Sequence, residues 1–262
     1  MDNDELDETS ADADGSSRMS FLDHLEELRK RIIYSVYAIL GGCALSFFFA
    51  AQLTQYLQKY LTQMGGKLIY TEFTGGFFFY FKVGALAGLI LAMPVVLWQF
   101  WMFIAPGLYQ KEKRVVVPFV MSASALFGSG VAFAHFVAIP SMLKFFSGFE
   151  NEYIQMRINA GDAFSFYVLM VLAFGIVFQM PILVYFLARF GIVTAGFMWK
   201  HFRYAILIIF VIAAIATPSS DPVNQTIFAA PMIVLYLISI GVAKVFQKKK
   251  KKDDDDEDDT DA

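Results

Sequence analysis

The stretch Trp98-Gln-Phe-Trp-Met-Phe-Ile-Ala-Pro-Gly-Leu-Tyr-Gln-Lys-Glu-Lys-Arg114 decides how the rest of the chain is read. A long uncharged segment runs up to it, and another begins at Val115. Both are long enough to cross a bilayer, so the stretch reads as a tight turn at a membrane surface. Pro106-Gly107 punctuates the chain where the incoming helix ends. Trp98, Trp101, Phe103 and Tyr109 suit the interfacial layer, where one side of a ring is dry and the other wet. Lys111, Lys113 and Arg114 mark this surface as the cytoplasmic one, and Glu112 is the one carboxylate among them.

Composition agrees. Hydrophobic residues make up 57% of the 262 residues and charged residues 17%. Most charge lies in residues 1–31 and 244–262, and the net charge of −3 conceals opposed tails. Cys43 is the only cysteine, which excludes an intrachain disulfide and a cysteine-based metal cluster. The acidic start differs from the basic start of a secretory signal peptide, so the first hydrophobic segment is expected to stay in the mature protein.

Residues 1–18 are too polar to bury a core and are expected to be disordered. In Ser20–Arg31, Phe21, Leu25 and Leu28 form one apolar helical face, an amphipathic lead-in to the bilayer. Six uncharged runs follow: Ile32–Leu53, Val83–Gln110, Val115–Leu143, Ala163–Ala188, Tyr204–Ser220 and Pro222–Ala243. Of the 21 Lys and Arg, 16 fall in the tails and in the loops between runs two and three and between four and five. The other five are Lys59, Lys67, Lys82, Lys144 and Arg157. The positive-inside rule places both termini in the cytoplasm. The expected fold is an all-α polytopic membrane protein of six spans, N-in and C-in.

Pro94, Pro118, Pro181 and Pro231 fall inside spans and predict kinks that would shape a concave bundle. Span five is short: Tyr204 to Ala216 reaches about 20 Å, against a hydrocarbon core of about 30 Å. The outer segments, about 54–76 and 144–162, read as loops, with Phe73–Tyr80 as an aromatic surface cap. The final segment, 246–262, carries Lys248–Lys252 followed by an Asp/Glu run. It reads either as a solvated charge tail or as a site for anionic membrane lipid.

Few carboxylates lie near the cytoplasmic ends of the spans: Asp23, Glu26, Glu27 and Glu112. Fixed carboxylates can read guanidinium groups through bidentate hydrogen bonds. Equally, Glu27 can simply offset Arg31 at i,i+4, and Glu112 its lysine neighbours. Gln179, in Phe178-Gln-Met-Pro181, suits either a docking contact with a partner helix or an internal interhelical hydrogen bond. His135 has no obvious acidic partner and reads as a packed residue. A secondary transporter or channel is the main rival function, but no charge lies deep in a span and no repeat relates the two halves. A metalloprotease would need His-Glu-x-x-His, which is absent, and no Gly-x-Ser-x-Gly context supports a serine protease.

Four motifs carry a family resemblance. They are His24-Leu-Glu-Glu-Leu-Arg-Lys-Arg31, Phe103-Ile-Ala-Pro-Gly-Leu-Tyr109 with Glu112-Lys-Arg114, Thr71-Glu-Phe-Thr with Phe81-Lys-Val83, and Thr217-Pro-Ser-Ser-Asp-Pro-Val-Asn-Gln225. In this order, around six spans, the chain resembles the TatC family over residues 19–245. That family supplies the multispanning receptor subunit of the twin-arginine protein translocase of the cytoplasmic (inner) membrane. The resemblance implies no catalysis, no cofactor and no nucleic acid. It implies binding of twin-arginine signal peptides on folded cargo, assembly with single-span TatA/TatB-type partners, and self-association. By family position, Glu27 and Glu112 would be the acidic receptor residues. Leu28, Arg29, Phe103, Pro106, Tyr109 and Arg114 would shape or flank the same face. Gln179, Thr217 and Gln225 would form a polar patch for partner helices. Many family members carry Glu where this chain has Gln179, a departure that bears on any role needing a negative charge.

Overall fold

The computed structural model describes residues 5–65, 68–104, 113–149, 151, 157–217 and 221–247. Side chains are described within these from residue 22 on, except at 64–65, 104, 113–116 and 216. The order is α1 (Glu5–Phe47), α2 (Ala50–Gly65), β1 (Leu68–Ile69), α3 (Gly75–Ile104) and α4 (Lys113–Phe133). A π-helical turn (Ala134–Ala138), α5 (Ile139–Ser147), β2 (Ile158–Asn159), α6 (Ala160–Val177) and α7 (Met180–Arg189) follow. The chain then forms α8 (Ala195–Lys200), α9 (Phe202–Ala216) and α10 (Pro222–Phe246). Four helical stretches are long and apolar enough to span: Gly75–Phe103, Val117–Ser147, Ala160–Arg189 and Pro222–Phe246. The pair Leu22–Phe47 and Ala50–Gln63, bent by 78°, is a fifth candidate, and the shorter apolar Phe202–Ile215 is the sixth. The chain is a multi-pass, all-α membrane protein.

The structure revises several boundaries. The first span ends at Phe47 rather than Leu53, because Phe48 and Phe49 close tight turns onto Leu45 and Ser46. Beyond the bend, α2 buries Thr54, Leu57 and Leu61 along one face and exposes Gln52, Gln55 and Lys59 on the other. Such a helix suits an interface better than a bilayer core. The outer segments are therefore not simple loops. They also pair as a two-residue parallel ladder, Leu68 with Ile158 and Ile69 with Asn159. The amide Nδ2 of Asn159 donates to Thr71 Oγ1 at 2.7 Å beside it. Helix α1 begins at Glu5, inside the acidic segment expected to be irregular.

Helices α3, α4 and α10 continue through Pro94, Pro118 and Pro231. The interruptions come elsewhere. Pro181 cannot donate to Val177, and the helix breaks between α6 and α7 at Phe178–Gln179. Pro140 cannot donate to Phe136, and the π-helical turn closes just before it, with Ile139 N–H bonded to Ala134. Gly191, at φ +79°, ends α7. Its N–H donates to Ala188 at 3.1 Å and that of Ile192 to Leu187 at 2.9 Å, the paired bonds a left-handed glycine permits.

The chain divides into two compact units, Met1–Gly128 with Phe146–Val168, and Ser129–Phe145 with Leu169–Ala262. In the first, α1 and α3 meet backbone to backbone. A Cβ on Gly42 would lie 2.5 Å from the Gly88 carbonyl oxygen, and one on Gly88 would collide with Cys43 Cα. Ser46 Oγ donates to the Gly84 carbonyl in the same seam. At the other end Phe79, one of the five aromatics of the expected cap, is instead core, edge-on to Phe164 at 5.3 Å, while the other four are exposed. In the second unit the packing is aromatic. Phe133 meets Phe174 at 5.0 Å, and Phe174 meets Phe228 at 5.4 Å. Val184, Ala188, Met198 and Ala243 form a further buried cluster.

Candidate functional site

The end of the α1–α3 seam carries the first candidate site. Glu27, Arg31, Ser35, Ala38, Gly42 and Ser46 recur at spacings of three and four, so they share one helical face. Arg31 lies across the gap to α3. Its guanidinium donates to Glu27 Oε1 at 3.1 Å, to Gln99 Oε1 at 3.1 Å and to Met102 Sδ at 3.2 Å. The side chains of Arg31 and Glu27 are 22% and 34% exposed. A fork of fixed geometry therefore ties the two helices and leaves the carboxylate at a wet rim. Among the described residues, the other oxygen of Glu27 has no protein partner. One turn further out, His24 stacks on Phe103 with ring centroids 4.5 Å apart and planes 18° from parallel. Leu28 is half-buried and Arg29 exposed.

The i,i+4 pair expected between Glu27 and Arg31 is thus formed, and it has more partners than spacing alone implied. Gln99 and Met102 were not legible as participants. A lone amide near the end of an apolar helix was the available signal for Gln99. Pro106, Tyr109 and Glu112 lie outside the described residues, and Arg114 enters α4 with its side chain undescribed. Of the expected receptor face, the structure sets Glu27 and, through its stack on His24, Phe103 at the same end of the α1–α3 seam.

Thr217, Gln225 and Gln179 make up the expected polar patch. Thr217 is buried, closes α9, and donates from Oγ1 to the Ala213 carbonyl at 2.9 Å. Asp221 opens α10 by accepting from the Asn224 N–H at 2.8 Å, with Pro222 following it. Gln225 Nε2 reaches back to the Phe210 carbonyl at 2.8 Å, so α9 and α10 are tied by the amide. Gln179 stands in the α6–α7 break, half-buried.

Gln179 and Gln225 stand at different levels of the bundle. Phe174 stands beside Phe228 and Tyr185 beside Phe246, so α6–α7 and α10 run in the same sense. Gln179 lies five residues after Phe174, and Gln225 three before Phe228. With about 1.5 Å per residue, their levels differ by roughly 12 Å. Family position groups the three, and the register sets Gln179 about two turns along from Gln225.

At the opposite end of the first unit lies a second concavity of about 430 Å³, between the ladder and the starts of α3 and α6. Glu72, Lys82 and Asp162 line it. Among the described residues, no group of three or more His, Cys, Asp or Glu side chains is arranged to hold a metal ion.

Known proteins with the same pattern bear on what this arrangement serves. Residues 23–231 match the family described as Sec-independent protein translocase protein (TatC). The TatC protein of Koribacter versatilis is 45% identical over 231 residues, covering 86% of this chain and 85% of the relative. That of Desulforapulum autotrophicum is 42% identical, covering 87% and 85%. A crystal structure of the twin-arginine translocase receptor TatC superimposes with a TM-score of 0.75 at 37% identity, covering 85% of this chain and 99% of the other. The same receptor solved in the detergent DDM gives 0.76. The chain belongs to the TatC family of Sec-independent protein translocase proteins, whose members are translocase components rather than enzymes.

Proposed function

We propose that the chain is the receptor component of a twin-arginine translocase in the cytoplasmic membrane. Both termini face the cytoplasm. It binds signal peptides bearing consecutive arginines on folded cargo and gathers single-span TatA/TatB-type partners. The observation that carries this reading is Glu27, a carboxylate set at the rim of the α1–α3 seam with one oxygen on Arg31. An incoming guanidinium finds the second oxygen open, and it competes with Arg31 for the first. Arg31 retains Gln99 and Met102 when it yields, so the exchange leaves no cation stranded. The stacked His24 and Phe103 offer an apolar, planar surface for the adjoining part of the peptide. Glu112 is the proposed second carboxylate, with Pro106 and Tyr109 shaping its loop and Arg114 flanking it. The charge split supports the orientation.

A charge-assisted hydrogen bond contributes about 1.5–3 kcal/mol when its partners are held, and less at a wet surface. Two carboxylates can then separate Arg-Arg from Lys-Lys by about tenfold, since roughly 1.4 kcal/mol is a factor of ten. Binding of both peptides to the detergent-solubilised chain tests this. Glu27→Gln and Glu112→Gln should each weaken the Arg-Arg peptide and narrow its advantage over Lys-Lys. Equal loss for both peptides would mean general electrostatic attraction, and no loss would return both glutamates to local charge balance. Gln179 is the proposed contact for a partner helix, through hydrogen bonding alone. Gln179→Leu should weaken crosslinking to a single-span partner and Gln179→Glu should preserve it.

A further inference from the structure

The concavity at the far end of the first unit has an unusual lining for a surface cleft. Lys82 projects into it from the second turn of α3, Asp162 from the first turn of α6, and Glu72 from the segment before α3. Among the described residues, none of these three charges has an ion-pair partner. Thr71 and Asn159, bonded to each other at 2.7 Å, also line it, and Gln58 Nε2 steadies the adjacent Tyr70 hydroxyl at 2.8 Å. The cleft is thus a built feature rather than a chance dip between loops.

It does not end there. A second groove of about 400 Å³ shares Lys82, Phe164 and Ser165 with the cleft and continues along α3 and α6. Leu86, Leu89 and Val168 make its walls apolar. From Lys82 to Leu89 the groove descends α3 by about 10 Å, into the stretch that spans the membrane. A charged cleft over an apolar furrow, at the end of two spanning helices, matches one kind of molecule.

We infer that the cleft and groove together hold a single phospholipid with a primary-ammonium headgroup, of the phosphatidylethanolamine class. Lys82 takes the phosphate as a point charge. Glu72 and Asp162 accept hydrogen bonds from the ammonium, whose three N–H groups suit two carboxylates. One acyl chain follows Leu86, Leu89 and Val168. The charges select among headgroups. One cation and two carboxylates match a zwitterion that carries both signs. A phosphatidylglycerol offers its phosphate but only neutral hydroxyls, and no cation, for the two carboxylates, and a choline ammonium has no N–H to donate. Free phosphate would face two carboxylates and leave the furrow empty.

The test measures retained lipid. The full chain is reconstituted in nanodiscs holding equal parts of phosphatidylethanolamine, phosphatidylcholine and phosphatidylglycerol, extracted in mild detergent, and examined by native mass spectrometry. One phosphatidylethanolamine should be retained over either other lipid by about threefold or more, the scale of partly exposed charge pairs. Glu72→Gln with Asp162→Asn should erase its advantage over phosphatidylcholine. Lys82→Gln should lower retention of both. Ser165→Trp, at the neck shared by cleft and groove, should lower retention of all three without touching a charge. Thermal unfolding identifies any variant that fails to fold, and the remaining variants then decide. Equal retention of the three lipids overturns the assignment, as does a preference that survives the double carboxylate change. So does a photocrosslinker at position 165 that captures a protein rather than lipid.

Discussion

Two i,i+4 ion pairs stand one residue apart on α1, and they differ in almost everything except spacing. Glu26 and Lys30 are joined at 2.8 Å with side chains 61% and 62% exposed. Glu27 and Arg31 are joined at 3.1 Å on the face that meets α3, where Gln99 and Met102 hold the guanidinium as well. The first pair is exposed, screened and local. The second is part of a joint between helices and fixes a carboxylate in space. The same division runs down the helix: Gly42 and Ser46 are buried on the inner face, whereas Tyr37, Leu40 and Leu45 are exposed on the outer one. Sequence spacing finds both pairs, but only the partner helix separates a pair built into the seam from a solvated one.

The neighbouring glycines break this contrast most sharply. A Cβ at Gly42 strikes the Gly88 carbonyl, while one at Gly41 meets no heavy atom within 4 Å. Gly42→Ala should cost about 1–3 kcal/mol by overpacking, seen as a lower unfolding temperature in detergent. Gly41→Ala should be neutral, or stabilising by up to about 1 kcal/mol, because alanine has the better helix propensity. Equal effects at the two positions would remove the distinction between faces.

Peptide binding gives the next largest effect. Glu27→Gln should weaken an Arg-Arg signal peptide by about tenfold if Glu27 is the anchor proposed, while Glu26→Gln should change it less than about twofold. Arg31→Gln releases Glu27 and removes a competing cation, so affinity should rise by about two- to fivefold, within the range of a partly exposed pair. A fall in affinity would make Arg31 a support for the site rather than a competitor within it.

The smallest effect concerns pH. Lys30, beside Glu26, holds that carboxyl below the usual 4.5, and Glu26 in turn raises the Lys30 ammonium above 10.5. For a depressed carboxyl, the stabilising contribution is present above the unfolded value and lost as pH falls through the folded one. For the raised ammonium, it is present below 10.5 and lost as pH rises through the folded value. The slight difference in helix stability between the native chain and Glu26→Gln should therefore vanish in acid below the ordinary carboxylate range. Amide exchange along residues 26–31 would measure it.

Much of the architecture was readable because the bilayer imposes strict lengths and removes charge from what lies within it. The six apolar segments and the short Phe202–Ala216 helix follow from that constraint. What was not readable depends on pairing between distant segments. Gly84-Ala-Leu-Ala-Gly88 carries a small-x-x-x-small pattern, but nothing in the spacing says that α1 is the helix it meets. Nor could periodicity show that Leu68 pairs with Ile158, or that Arg31 reaches Gln99. Pro140 was not among the prolines expected to kink a span, yet it is the one preceded by a π-helical turn among the described residues. At the candidate site, Glu27 and Phe103 were legible as types of residue, and the arginine fork between helices was not.

The two-residue ladder also sets an order of events during synthesis. Its strands are separated by about ninety residues of chain, including two complete membrane crossings. While the ribosome is still making the second and third spans, Leu68 and Ile69 have no partner to pair with, and Thr71 waits for the amide of Asn159. The cleft beside the ladder cannot close until residue 159 has been made and has reached the same membrane face as residue 69. The glycine seam between α1 and α3 needs only the first hundred residues. The nascent chain therefore completes its Glu27 end early and its Lys82 end late, so biogenesis proceeds from one membrane face toward the other.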